Sequence, residues 1–389
     1  MGSGIGAVII GADFQALGAV RSLSQEGVPV FLVEHERGIC RYSRYVTRMA
    51  RNYSLLSDGK FPDFLIDLAK KEGVEGWVLF PNDDECVKML SICRDTLDGW
   101  YRNPVPSWDI VKKFYHKENA AQVAEEIGIP VPRRYQGKNL GDFLCQDLGF
   151  PLVLKPSCKE GFYPKVKRKA IRVDSREGFV REYKIMSSII GPSAIVVQEM
   201  IEGGPKNLYS FATVFDGRNI IAGMAARRWR QHPMDFGHAT TYAESVEVPE
   251  LEILTQKLLR EIGFYGLAEV EFMYDSREGV FKFIEINGRV WGWHTLAKAA
   301  GVNLPLVLFK LMTGDRTLSP KPRQGVKWVR FITDVPTVFK EIAGGRMTLG
   351  EYVDSLRGEK EFAVFSAKDP LPFFAEIMLS LYLWKKRGF

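Results

Sequence analysis

The sequence lacks an apolar run of the roughly 20 residues that a membrane-spanning helix needs, so an integral membrane protein is not expected. Its five cysteines form no CxxC pair and no zinc-finger spacing. That scatter disfavours a disulfide framework or structural zinc, and it is typical of reduced thiols in a cytoplasmic protein. The N-terminus has no basic segment and no signal-peptide cleavage site, so we expect no secretory signal.

Charge of one sign is not in large excess either. The chain carries 53 basic and 47 acidic residues, a net charge of +6, which suits an anionic small molecule and gives no reason to expect nucleic acid. Its 389 residues, 46% hydrophobic and 26% charged, are enough for two or three domains with sizeable cores. The composition therefore predicts a folded multi-domain protein without a nucleic-acid partner.

The dinucleotide-binding fingerprint G-x-G-x-x-G is missing from the N-terminal region. An apolar strand at 5–11 is followed by helical periodicity over 14–23, which stops at Gly27, and by a second strand at 28–34, the opening of a doubly wound α/β domain. The turn between them has only Gly11 and Gly18, so a nicotinamide-dependent oxidoreductase is disfavoured. We expect a Rossmann-like half that serves structure or one edge of a substrate site.

Polar residues follow the next predicted strand, at 77–80. They are Asn82, Asp83, Asp84 and Glu85. In open α/β sheets ligands bind at the carboxyl ends of strands, so these side chains could line a site. Asp83 is also a good N-cap for the helix that follows, and we favour that role.

A predicted hairpin further along the chain carries the strongest chemical signal. Its strands, at 267–274 and 280–287, are joined by the turn "DSREG", and alternation places their polar residues on one side. The residues that share this side are Glu269, Glu271, Glu285, Asn287 and Arg289. Carboxylate and carboxamide oxygens are hard ligands suited to Mg²⁺. Arg289 beside a cation site makes sense if phosphate oxygens lie there as well, because a guanidinium binds them bidentately.

The alternative is a solvated face of Glu–Arg pairs, which contribute little to stability. The apolar residues that flank these positions favour a buried strand instead. The hairpin therefore predicts a site for a metal ion and phosphate.

Two lysines and one strand end are further candidates. Lys155 ends an apolar strand, and Lys117 opens a helix, where a cation opposes the helix dipole unless an anion is bound. An ordinary exposed lysine is the alternative, and it is favoured for Lys117 taken alone. The segment 198–201, which ends a buried strand, could present backbone groups to the edge of a purine, with Met200 and Ile201 near the ring.

A basic segment at 225–245 is the other candidate. Arg228 and Arg230 share a face if the segment is a strand, and could then clamp a substrate carboxylate or a triphosphate. A mobile, solvated basic loop is an equally good interpretation.

The C-terminal stretch, 371–389, is mostly apolar. It is interrupted by Glu376 and closed by Lys385, Lys386 and Arg387. A helix packed on the body of the protein is favoured, and an interfacial helix whose basic end touches a membrane is the alternative.

Taken in order, several of these motifs resemble the ATP-grasp superfamily. They are Lys117 followed by "IGIPVP", "PLVLKPS", "VVQEMIEG", "VEFMYD" and "FIEINGR". In particular they resemble the carboxylate–amine ligases grouped with D-aspartate ligase and the carbamoyl-phosphate-synthetase-like proteins. The resemblance covers roughly residues 1–315, and its most specific element is the "EIN-x-R" ending after an acidic strand.

The resemblance implies a fold class and a domain order. The class is α/β, with α+β character in the ATP-grasp part. A Rossmann-like pre-ATP-grasp domain is expected at 1–110, the two ATP-grasp subdomains at 111–205 and 206–315, and a small C-terminal module with the apolar tail at 316–389.

It also implies residue roles. Lys117 and Lys155 would contact ATP phosphates, and Arg289 would face the γ-phosphate or an acyl phosphate. The adenine hinge would be Gln198, Glu199, Met200 and Ile201, with Glu202 an uncertain ribose contact because it is close to the hinge. The Mg²⁺ ligands, with Mn²⁺ as a substitute ion, would be Glu271, Glu285 and Asn287. The loop 157–169 departs from the family: it has one glycine and many cations, so phosphate contacts could come from Lys165, Lys167 or Arg168.

The implied activity is an ATP-dependent ligase that joins a carboxylate to an amine through an acyl phosphate. The alternatives are a carboxylase, a ligase that tags a carrier protein, or an ATP-binding module without catalysis. The expected partners are small-molecule substrates, with a homodimer and peripheral membrane contact through the tail as further options, and the expected location is the cytoplasm.

Overall fold

The computed structural model describes residues 4–57, 59–156, 170–237, 239–316 and 320–387, with backbone alone at Lys117 and over 381–387. The described chain contains three sheets, with helices packed around them. The bounds of these elements follow, sheet by sheet.

The first sheet is parallel and four-stranded, in the order β3-β2-β1-β4. Its strands are β1 (Ala7–Ile10), β2 (Val30–Glu34), β3 (Arg48–Arg51) and β4 (Val78–Pro81). The helices among them are α1 (Phe14–Ser24), α2 (Phe61–Glu72), α3 (Asp84–Ile92) and α4 (Arg94–Leu97). Alternate residues of β1 belong to different hydrophobic clusters, one with α1 and one with α2. Both faces of the sheet are therefore covered, as expected for a parallel sheet.

Gly18 in α1 explains why a glycine stands there without a dinucleotide fingerprint. A Cβ at this position would lie 2.5 Å from the His294 ring and 2.7 Å from Thr295 Cγ2. The glycine thus lets α1 approach the segment that follows the predicted hairpin.

The second sheet is antiparallel, in the order β5-β8-β6-β7. Its strands are β5 (Arg134–Tyr135), β6 (Leu152–Pro156), β7 (Ile171–Val173) and β8 (Ile195–Glu199). The helices before and within it are α5 (Trp108–Tyr115), α6 (Lys117–Glu126), α7 (Leu140–Leu144) and α8 (Arg176–Ile190). It has its own apolar cluster, in which Phe179 and Met186 of α8 are fully buried.

The third sheet has seven strands in the order β13-β12-β9-β10-β11-β14-β15. They are β9 (Leu208–Phe215), β10 (Ile220–His232), β11 (Ala239–Val246), β12 (Gly266–Asp275), β13 (Val280–Asn287), β14 (Lys327–Val329) and β15 (Lys360–Phe362). The helices are α9 (Pro249–Ile262), α10 (Thr295–Ala299), α11 (Leu304–Thr313), α12 (Phe331–Ala343), α13 (Leu349–Ser355) and α14 (Leu371–Arg387).

The segment after residue 315 shares this third sheet. β14 pairs with β11, and β15 pairs with β14. Buried ion pairs attach the segment to earlier elements: Arg230 Nε to Asp334 at 2.8 Å, Arg330 Nη2 to Glu376 at 2.7 Å and Arg21 Nε to Asp369 at 2.9 Å. Strands of three residues carry little periodicity, so this pairing could not be predicted from the sequence. The domain boundaries themselves stay predictions.

α14 lies against the body through its inward side. Ala375 and Glu376 are buried, and Phe373 and Leu379 pack against the main core. Within the described residues no helix is both long enough and apolar enough to cross a membrane.

Candidate functional site

The site begins with the register of β12 and β13. Glu271 lies opposite Glu285, and Glu269 lies opposite Asn287. Residues directly opposite in an antiparallel pair have Cβ atoms about 5 Å apart, so the four side chains are cross-strand neighbours on one face. The alternation seen in the sequence therefore corresponds to a real cluster of polar groups.

Hydrogen bonds bind three members of this cluster together. Asn287 Nδ2 donates to Glu269 Oε2 at 3.2 Å and to Glu271 Oε1 at 3.3 Å. Trp293 Nε1 donates to Glu269 Oε1 at 2.8 Å. The aromatic segment after the hairpin thus supports the acidic cluster through an indole N–H.

This cluster holds carboxyl groups that are both buried and close together, an arrangement that disfavours their charged forms. Glu269 is 3% exposed, and its burial together with the neighbouring Glu271 raises its pKa to about 8. Arg228 and Arg289 act in the opposite direction, since their charges stabilise the carboxylate. Two buried carboxylates this close favour a bound cation.

Two arginines flank the carboxylates. Arg228 Nη2 lies 3.4 Å from Glu271 Oε1. Arg289 donates from Nη2 to Asn287 Oδ1 at 3.1 Å, and from Nε to Asp84 Oδ1 at 2.7 Å. Asp84 is the first residue of α3, so this contact joins the hairpin to the parallel sheet.

The donor set fits Mg²⁺. Glu271 and Glu285 offer carboxylate oxygens on facing strands, and Asn287, whose Oδ1 accepts from Arg289 in this structure, would supply an amide oxygen. Burial and the neighbouring Glu271 raise the pKa of Glu269, and a bound divalent ion would favour its ionised form. A hard cation with an incomplete protein shell, completed by water and phosphate oxygens, is the chemistry this set suits.

A cleft of about 1050 Å³, including its open mouth, lies between the second and third sheets. The second sheet contributes Lys155 and the segment Gln198–Ile201, and the third sheet contributes Arg228, Glu271 and Glu285. Apolar side chains complete the walls: Val153, Met200, Ile201, Leu208, Met273 and Ile284. One part of the cleft therefore suits a flat apolar ring, and another suits a charged group.

The segment that ends β8 is held by its own backbone. Glu199 N–H donates to Arg133 O at 2.9 Å, and Met200 N–H donates to Pro151 O at 3.0 Å. Among the described residues the Ile201 N–H has no backbone acceptor, so it is the donor this segment can offer a ligand. The Glu199 carboxylate is engaged by Lys282 Nζ at 2.7 Å, which ties β8 to β13.

Comparison with known proteins supports the same fold. The family model described as "Carbamoyl-phosphate synthase L chain, ATP binding domain" matches residues 240–319. D-aspartate ligase from Enterococcus faecium is 22% identical over 335 residues, which cover 80% of this chain and 76% of the ligase. An acetyl-CoA carboxylase from Cryptosporiopsis is 28% identical over 172 residues, but the match spans 43% of this chain and only 7% of the carboxylase.

Two solved structures have a fold similar to that of this chain. The biotin carboxylase domain of 2-oxoglutarate carboxylase from Hydrogenobacter thermophilus, in complex with MgADP, ADP and bicarbonate, superposes with a TM-score of 0.64 at 18% identity, covering 82% of this chain and 73% of that one. L-amino acid ligase from Bacillus licheniformis gives a TM-score of 0.59 at 14% identity, covering 80% of this chain and 75% of that one.

The chain is thus similar to ATP-grasp proteins, in sequence to D-aspartate ligase and in fold to the solved biotin carboxylase domain. These similar proteins include both ligases and carboxylases, so the similarity alone leaves the reaction open. The predicted site residues can now be placed within this ATP-grasp fold.

Most of the predicted residues converge on the cleft. Lys155, Gln198–Ile201, Arg228, Glu271 and Glu285 line it. Asn287 and Arg289 lie farther along β13 and after it, next to Glu271 and Asp84. The roles of all these residues stay predictions.

Arg230 was predicted to clamp a ligand together with Arg228, but it is not among the residues that line the cleft. The pairing of β10 with β11 shifts register between Arg228 and Arg230, so the two arginines do not share a face. Arg230 donates twice to Asp334, from Nε and Nη2 at 2.8 Å each, and its guanidinium lies over the Tyr242 ring. It joins β10 to α12.

Glu202 is exposed and is not among the residues that line the cleft. α6 begins at Lys117, as predicted, but its side chain lies outside the described part of the chain. The cationic loop with Lys165, Lys167 and Arg168 also lies outside it.

Three residues at the site were given no specific role from the sequence, although Asp84 and Glu269 were noted there. Asp84 and Trp293 contact the site through single hydrogen bonds, and Glu269 shares its face with the predicted metal ligands. The alternation of β12 carried a signal for Glu269. Asp83, the predicted cap, does cap α3, with Oδ1 accepting from Cys86 N at 2.7 Å.

Proposed function

We propose that this ATP-grasp protein is an ATP- and Mg²⁺-dependent ligase that joins a carboxylate to an amine and releases ADP and phosphate. The observation that carries the proposal is the register of β12 and β13, which places Glu271, Glu285 and Asn287 side by side, with Glu271 and Glu285 at the wall of a cleft that also holds Lys155 and Arg228.

ATP would lie between the second and third sheets. Its adenine would occupy the apolar part, where the Ile201 N–H is available to a ring nitrogen. Its phosphates would extend towards Lys155 and the carboxylates of the hairpin. Glu271, Glu285 and Asn287 would hold Mg²⁺, which supplies charge neutralisation and orientation of the phosphate oxygens.

The reaction needs positioning and charge stabilisation more than a nucleophilic side chain. The substrate carboxylate attacks the γ-phosphorus, ADP leaves, and an acyl phosphate forms. The amine then attacks the acyl carbon, inorganic phosphate leaves, and the nitrogen releases a proton to solvent as the amide forms. Arg228, at the wall of the cleft, would bind a carboxylate or the transferring phosphoryl group, and Arg289, which pairs with Asp84, would stabilise charge at the far end of the hairpin.

Sequence coverage supports a ligase. The match to D-aspartate ligase extends over 80% of this chain and 76% of the ligase, against 65% of this chain and 54% of the small subunit for 2-oxoglutarate carboxylase. A carboxylase-type reaction, with bicarbonate as the carboxylate, is the second candidate, since the biotin carboxylase domain superposes well.

The test is ADP release from the full chain with ATP and Mg²⁺, against a panel of amino acids and other carboxylates in pairs. We expect turnover only with a carboxylate and an amine together, and an amide in the products. Glu285→Gln should abolish it, whereas Asp109→Asn, an exposed position on α5, should not.

Stimulation by bicarbonate alone would favour the carboxylase. ATP binding without turnover by any pair, unchanged in Glu285→Gln, would instead indicate a non-catalytic module.

A further inference from the structure

The outward side of α14 is an exposed apolar surface, here called the apolar stripe, formed by Leu371, Phe374, Ile377 and Met378. These side chains are 61%, 57%, 52% and 85% exposed. Their spacing of three, four and seven residues places them along one side of the helix. Large apolar side chains grouped in this way mark an interaction surface more often than isolated ones do.

The stripe is continuous with exposed aromatic surface before the helix. Phe365 is 41% exposed, and its ring packs edge-on against Phe373 at 5.4 Å between centroids. Phe373 in turn contacts Phe374 at 5.9 Å. The aromatic contacts hold the first turn of α14 in place, so the stripe is presented by a fixed helix.

The distribution of charged residues along α14 favours a partner whose surface is negatively charged. The helix has one acidic residue, Glu376, and it is 2% exposed because it turns inward and accepts hydrogen bonds from Arg330. The helix ends with Lys385, Lys386 and Arg387. Among its described side chains, then, no acid faces outward, and its last turn is basic in sequence.

We propose that α14 is an interfacial membrane helix that docks the protein onto a bilayer surface carrying anionic lipid. Its 17 residues extend about 25 Å, and the helix is tied along its inward side, so it can lie on a bilayer but not cross it. The apolar stripe inserts at the level of the headgroups and the first acyl carbons, and the terminal basic residues attract acidic headgroups. Tyr382 and Trp384, which precede the basic residues in sequence, are the residue types enriched at that boundary.

The test uses the full chain, because a chain cut before α14 would leave the buried Arg330 without Glu376. Flotation is measured with vesicles of phosphatidylcholine alone and with vesicles containing about a third phosphatidylglycerol. We expect the protein to float with the anionic vesicles, and binding to fall as salt is raised.

Two variants remove the two parts of the surface. Phe374→Ser combined with Met378→Ser removes half of the stripe, and Lys385→Gln with Lys386→Gln and Arg387→Gln removes the basic end. We expect each to lower the partition coefficient about tenfold or more. The matched control is Ile253→Ser on α9, where the side chain is 68% exposed but lies on a helix that packs against β9 and α6.

Flotation that is equal for the parent and both variants would overturn the proposal. So would light scattering that shows a dimer lost only in the stripe variant, with no vesicle binding by the parent, because the stripe would then be a self-association surface. Neither result depends on enzymatic turnover, so this proposal and the proposed function fail separately.

Discussion

Asp84 and Arg289, 205 positions apart in sequence, form an ion pair in which Arg289 Nε donates to Asp84 Oδ1 at 2.7 Å. Asp84 begins the helix that follows β4, and Arg289 follows β13. The same guanidinium donates to Asn287 Oδ1 at 3.1 Å. The parallel sheet therefore helps to orient groups at the end of the acidic hairpin.

This pairing predicts a role for Asp84 in turnover. Asp84→Asn removes the charge that positions Arg289, and we expect kcat/KM for the ligase reaction to fall roughly ten- to hundredfold, since small displacements at a reacting centre are costly. The melting temperature should change little, because the Asp84 side chain is 43% exposed.

The matched control for this prediction is Asp109→Asn, which removes an exposed carboxylate paired with Lys112 on α5. Equal kcat/KM for the two variants would show that the Asp84–Arg289 contact is only structural.

Substitutions at Arg228 and Arg230 should affect different properties, turnover at Arg228 and the free energy of unfolding at Arg230. Arg228 lines the cleft, so Arg228→Gln should lower kcat by about a hundredfold, as loss of a charge-stabilising donor does. Arg230→Gln leaves the fully buried Asp334 without the guanidinium that balances its charge and should destabilise the protein by about 3–5 kcal/mol.

Urea unfolding and ADP release measure the two effects. Adding Asp334→Asn to Arg230→Gln should restore part of the lost stability, since no uncompensated charge remains. Stability in Arg230→Gln equal to that of the parent would contradict the assignment.

Glu269 predicts that the ligand-free protein loses stability as the pH rises. Its pKa is about 8 in the folded chain against 4.5 normally, so between these values the folded state keeps a proton that the unfolded state releases. Stability therefore falls with rising pH across this window, by an amount on the order of a few kcal/mol. Glu269→Gln should flatten the fall.

The informative range is pH 6.5 to 8. Below it His294 also contributes: burial lowers its pKa to about 4, so stability rises with pH between that value and 6.5. Chemical unfolding of the parent and of Glu269→Gln at both ends of the range, with and without Mg²⁺, provides the measurement. Parallel pH profiles in the two proteins would disprove the prediction.

Gly18, which does not line the cleft, predicts an effect on packing. In Gly18→Ala the new methyl group would collide with His294 and Thr295, and we expect a loss of about 1–3 kcal/mol of unfolding free energy. Gly178→Ala in α8 is the control, because a Cβ there meets only Ser175 Oγ at 3.4 Å. A melting temperature in Gly18→Ala that matches the control would mean that α1 can shift without cost.

The acidic hairpin could be predicted from the sequence because its polar residues recur at every second position, which is also how side chains alternate between the two faces of a strand. Glu271, Glu285 and Asn287 alternate with apolar residues, and a short turn brings the two strands together. The strand that ends at Lys155 and the segment 198–201 could be predicted for a similar reason, since Lys155 and Gln198 each directly follow a run of apolar residues.

Other contacts left no such trace. The shift in β10 that separates Arg228 from Arg230 depends on pairing with β11, which alternation along one strand cannot show. Trp293 supports Glu269 from an irregular segment, where no period tells which way an indole points. Asp84 needed a partner 205 positions away, and a carboxylate in the first turn of a helix already had an adequate local explanation.

The third sheet has the acidic hairpin at one edge and β15 at the other. Seven strands at the usual spacing make a plate about 29 Å across. The aromatic contacts from Phe362 through Phe365 to Phe373 connect the far edge to α14. If α14 lies on a bilayer, these packed contacts hold the cleft at a set height and tilt above the headgroups, because no flexible linker separates the sheet from the helix in the part of the chain that the structure describes. Only substrates whose reacting carboxylate or amine projects to that height would reach Arg228 and the hairpin while still anchored in the lipid.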